Sequence, residues 1–116
     1  EKLNKELDSL PKAGTKVKFI IDADNSPGQI HVFVSGEVQG CGFREFTMRN
    51  AQKLGLKGFV KNLDDGRVEL VAEGPKFDLG KLAAKVRSGP RPAKVEDVRI
   101  ENGSFSGKYK EFEVAY

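Results

Sequence analysis

The 116 residues are 38% hydrophobic and 32% charged, with a net charge of +3, which suits one modest core under a well-solvated surface. A single cysteine, Cys41, excludes an intrachain disulfide framework and any cluster of thiolate metal ligands. No run approaches the ~18 apolar residues of a membrane span, and the opening EKLNKELDSL lacks the apolar centre of a signal peptide, so the chain reads as cytoplasmic. The small basic excess suits anionic small molecules as readily as nucleic acid.

Leu3, Leu7 and Leu10 recur at helical spacing before Pro11 and Gly14 interrupt them. VKFII, Val17 to Ile21, reads as a short strand, and DADNSPGQ as a turn-rich connector. Residues 1–29 are therefore set apart as an N-terminal extension, and residues 30–116 as the main domain. From Ile30 the β-branched and aromatic QIHVFVSGEV predicts a strand that runs into a glycine-rich loop. Phe43, Phe46, Thr47, Asn50, Ala51 and Leu54 then follow at three- and four-residue steps, one face of a helix that Gly55 ends.

KGFVKN and RVELVAEG read as two strands joined by the turn LDDG, which places Asn62 at a strand end. Pro75 opens a second helix whose apolar stripe is assigned to Phe77, Leu82, Ala83 and Val86, and which stops near Ser88 ahead of Gly89, Pro90 and Pro92. AKVEDVRI and KEFEVAY finish the chain as strands. The order βαββαβ with a trailing strand predicts an α+β, ferredoxin-like sandwich, an antiparallel sheet with two helices on one face.

SGEVQGCGFREF, Ser35 to Phe46, is the most informative stretch. Gly36, Gly40 and Gly42 can turn N–H groups toward one centre at the start of a helix, forming an anion site, and Arg44 can add a planar fork for two phosphate oxygens. A plain strand-to-helix turn with a solvated arginine accounts for the same residues. Walker A and Rossmann spacings are both absent, so a nucleotide cradle is excluded.

His31, the one histidine, lies in the first strand away from the loop and reads as structural. The DADNSP run departs from a calcium loop at Pro27 and Phe33, which leaves no metal site. Asp64 and Asp65 read as turn formers, and Arg87, Arg91 and Lys94 as a solvated basic edge.

VSGEVQGCGFR followed by LGLKGFVKNLDDGRVELVAEG resembles the acylphosphatase family, whose signature is a G-x-V-Q-G-V-G-F-R loop and a later G-x-V-x-N-x-x-D-G-x-V strand and hairpin. The likeness extends from about Ile30 to Tyr116 and takes in GPRPAKVEDV and the closing FEV. It implies hydrolysis of the carboxyl-phosphate bond of acyl phosphates to carboxylate and inorganic phosphate, with no cofactor and no metal. By motif, Arg44 is the phosphate-binding arginine, Asn62 the catalytic asparagine, and Val38, Gln39, Gly40, Cys41, Gly42 and Phe43 the backbone cradle. A monomer acting on small molecules, without nucleic acid or membrane partners, goes with that reading.

Cys41 stands where the family usually has valine, and Glu37 where it often has a basic residue. Two alternatives belong to other classes: a silent phosphate or acyl-phosphate-binding regulatory module, which a turnover assay separates from an enzyme, and an RNA-binding sheet. KGFVKN lacks the second aromatic that base stacking requires, so the RNA reading is the weaker.

Overall fold

Alternation of apolar and polar side chains in PGQIHVFVSGE builds the central strand, β1 (Pro27–Glu37), whose Ile30, Val32 and Val34 are buried on one face. The computed structural model describes residues 25–116, so the helical leucines at 3, 7 and 10 and the strand at 17–21 lie outside the described residues. The strand begins three residues before Ile30, because Pro27, Gly28 and Gln29 of the expected connector pair with Pro75, Gly74 and Glu73.

After β1 come α1 (Phe43–Lys53), β2 (Lys57–Asn62), β3 (Val68–Pro75), α2 (Lys76–Ser88), β4 (Lys94–Gly103) and β5 (Phe112–Val114). The sheet order is β4-β1-β3-β2-β5. Strand β1 is antiparallel to β3 and β4, and β2 is antiparallel to β3, as the expected ferredoxin-like pattern requires. The trailing strand corrects the expectation of an antiparallel sheet: β5 runs parallel to β2, with Phe112 opposite Gly58 and Val114 opposite Val60. Its direction follows from the crossing, since residues 104–111 carry the chain from one sheet edge to the other before β5 returns.

Glu73 holds that crossing. Its buried carboxylate accepts from Gln29 Nε2 at 2.6 Å, from Ser106 N at 3.0 Å and Oγ at 2.8 Å, and from Gly107 N at 3.0 Å. Burial pushes its pKa up, but these hydrogen bonds outweigh burial and hold the group below its ordinary value.

Both helices pack on the Ile30, Val32 and Val34 face, where Phe43 and Ala51 from α1 and Leu79, Leu82 and Val86 from α2 join Val60, Val68, Leu70 and Phe112. Each of the larger of these side chains, from valine to phenylalanine, stabilises the fold by about 1.5–3 kcal/mol relative to exposure. The stripe assigned to α2 needs one correction. Phe77 is 65% exposed with Lys81 Nζ 4.8 Å from its ring centre, and Leu79 takes the inward place, because 79, 82 and 86 share a helical face that 77 misses. On the opposite sheet face His31 has a structural setting, its Nε2 2.6 Å from Glu69 Oε2 and its ring beside Phe33.

Candidate active site

Three elements end at one edge of the sandwich: the loop after β1, the end of β2 and the stretch beyond β5. The loop enters α1 through Gly42, which caps the helix in the left-handed region at φ 82° and whose carbonyl accepts from Phe46 N at 2.9 Å. A Cβ at Gly42 would meet nothing within 4 Å, so backbone angle and not space requires glycine there. No side chain caps α1, so its first-turn N–H groups remain available to an anion at the positive end of the helix.

Arg44 in that first turn and Asn62 at the last position of β2 line one cleft of about 280 Å³, together with Val38, Gly40, Gly42 and Phe43. Glu45, Met48, Val114 and Tyr116 complete the wall. The Oδ1 atom of Asn62 is buried and has no hydrogen-bond partner among the described residues. Residues 18 apart in sequence thus converge because β1 and β2 both run antiparallel to β3, so the loop that leaves β1 and Asn62 at the end of β2 lie at the same edge of the sheet.

Gln39 fastens the loop to the hairpin beside Asn62. Its Nε2 donates to the carbonyls of Leu63 at 2.8 Å and Arg67 at 2.9 Å. In the hairpin, Asp65 accepts from the Arg67 backbone N–H at 3.1 Å and from Arg67 Nε at 2.8 Å. The Arg67 backbone hydrogen bond is the main cause holding the Asp65 carboxyl below its ordinary value. Asp65 is exposed and forms the turn, as the sequence suggests.

Residues 30–114 match the profile of the acylphosphatase family. The chain belongs to the acylphosphatase family. A relative named Acylphosphatase from Archaeoglobus fulgidus is 48% identical over 87 residues, spanning 75% of this chain and 97% of its own length. Among solved structures, the acylphosphatase from Bacillus subtilis superposes with a TM-score of 0.74 at 39% identity, covering 77% of this chain and 99% of that one. An acylphosphatase from Coxiella burnetii gives a TM-score of 0.73 at 42% identity, covering 77% of this chain and 93% of the other. These likenesses agree with the ferredoxin-like arrangement of two helices on one sheet face.

Within this family member, Arg44, Asn62, Val38, Gly40, Gly42 and Phe43 come together at the cleft, while Gln39 and Cys41 do not line it. The Gln39 side chain is the clamp just described. Cys41 is half-buried against the core, its Sγ 4.0 Å from the Glu37 carbonyl. Gly36 also departs from the expected anion nest. It sits in β1 opposite Val95 at a register shift, and a Cβ there would lie 2.2 Å from the Lys94 carbonyl oxygen, so it serves strand pairing. Met48 reaches the cleft from α1, one helical turn beyond Arg44, whereas Val114 and Tyr116 reach it only through the docking of β5, which no local spacing encodes.

Proposed function

We propose that this chain is an acylphosphatase that works without a metal ion, with Arg44 and the α1 amides holding the phosphoryl group and Asn62 orienting the attacking water. The observation that carries the reading is the convergence of Arg44, Asn62 and the uncapped start of α1 on one cleft. Backbone N–H groups and a guanidinium fork suit the oxygens of a phosphoryl group, whose charge they stabilise as the transition state develops.

The leaving group makes a sparse site sufficient. A carboxylate whose acid has a pKa near that of glutamic acid, about 4.3, departs without a proton, so no general acid is needed. Water attacks phosphorus opposite the leaving oxygen, the P–O bond to the acyl group breaks with its electron pair going to the carboxylate, and the proton lost by water passes to a phosphate oxygen. Asn62 is neutral and can accept a hydrogen bond from that water through Oδ1. A buried acceptor without a donor costs about 1–3 kcal/mol, so the lack of a partner for Oδ1 among the described residues fits an atom that bonds to the reactants.

Cytoplasmic residence, a monomeric state and the lack of nucleic acid or membrane partners belong to the same proposal. The site assignment is tested by competition with inorganic phosphate. Arg44→Ala is expected to keep the wild-type fold by circular dichroism and lose phosphate inhibition. Undiminished phosphate inhibition in that variant would overturn the assignment.

A further inference from the structure

The cleft is lined by two chemically different sets of residues. Arg44, Asn62 and the loop form the polar set, whereas Met48, Val114 and Tyr116 supply side chains that a phosphoryl group does not need. Tyr116 is fully exposed and contributes nothing to the core, yet the Arg44 guanidinium lies 4.9 Å from the centre of its ring. A cation over an aromatic face leaves the in-plane N–H groups of the guanidinium free for phosphate oxygens. The ring therefore borders, within the same cleft, the guanidinium to which the phosphoryl group is assigned.

We propose that Tyr116 is a specificity-determining residue that selects acyl phosphates with flat acyl groups, aromatic ones above all. The proposal rests on the reading that Arg44 and Asn62 hold the phosphoryl group. An aromatic acyl group can lie against the Tyr116 ring in an offset or edge-to-face contact, and the polarisable Met48 side chain adapts to its far side. A short aliphatic acyl group gains neither contact. At about 280 Å³ the cleft is just under the ~300–1,000 Å³ of typical small-molecule sites, which suits a phosphoryl group bearing a compact acyl group.

The test compares kcat/KM for benzoyl phosphate and acetyl phosphate in the wild type, Tyr116→Phe and Tyr116→Ala. The wild type is expected to favour benzoyl phosphate by about tenfold or more, as an aromatic contact predicts. Tyr116→Phe is expected to keep that ratio, and Tyr116→Ala to reduce it to near one. A wild type without preference overturns the proposal. So does a Tyr116→Ala variant that loses activity equally on both substrates, since the ring would then act only through Arg44. Arg44→Ala is run alongside. Wild-type turnover in that variant would overturn the phosphoryl-site reading itself, an outcome distinct from a failure at Tyr116.

Discussion

Gln39 Nε2 donates to the Leu63 carbonyl at 2.8 Å and so links the glycine-rich loop to the residue directly after Asn62. With the second bond to Arg67 O, at 2.9 Å, the side chain sets the distance between two parts of the site that no other described side-chain hydrogen bond joins. Gln39→Ala is predicted to cost little stability, because both carbonyls can turn to water at this exposed position. It should lower kcat for benzoyl phosphate by about 10–100-fold, since small displacements of positioned groups weigh heavily on rate. Steady-state kinetics beside a urea melt checks this, and Gln39→Glu, which loses the donors but keeps the size, should be equally impaired.

The Glu73 latch predicts a dependence of stability on acidity. Its folded pKa lies below the unfolded value of 4.5, so its contribution is complete above that value and is lost as pH falls through the folded pKa. Glu73→Gln turns amide donors toward the Ser106 and Gly107 N–H groups and should destabilise the fold at neutral pH by about 1.5–3 kcal/mol, the worth of a hydrogen bond to a buried charge. Thermal melts at a series of pH values should show the variant losing less stability than the wild type below pH 4.5. An unchanged acid limb would refute the latch.

Two glycines in the same opening stretch should fail in different ways. Gly36→Ala forces a Cβ against the Lys94 carbonyl at φ 126° and is predicted to cost about 2 kcal/mol or more of stability. Gly42→Ala meets open space and should cost only about 1–2 kcal/mol for its left-handed backbone, while activity falls further as the first turn of α1 shifts. Urea midpoints and turnover on both variants separate the two effects.

Along α2 the corrected stripe gives a simple contrast. Leu82→Ala is predicted to lose about 2–5 kcal/mol as a fully buried leucine, whereas Phe77→Ala should stay within about 0.5 kcal/mol. Comparable losses at the two positions would contradict the assigned face.

What could be read from the sequence follows the range of the forces involved. Alternation in QIHVFVSGEV and the Phe43 to Leu54 spacing are local, and they located β1 and α1 within three residues at either end. Phe77 misled because an apolar residue in the first turn of a helix looks like part of the stripe until the crossing of α2 over the sheet is known. The parallel docking of β5, and with it Val114 and Tyr116 at the cleft, depends on the path of residues 104–111 around Glu73. Within the loop, Gly40 and Gly42 mark where a positive φ is open to the backbone, but Gln39 reads as a backbone contributor until the hairpin it clamps is in place.

The most direct test of the central claim is hydrolysis of benzoyl phosphate by chelator-treated protein, wild type beside Asn62→Ala. Chelator-resistant turnover is predicted for the wild type, with kcat reduced by about a hundredfold or more in Asn62→Ala while inorganic phosphate still inhibits. Wild-type turnover in Asn62→Ala, or activity abolished by chelator and restored by a divalent cation, would contradict it.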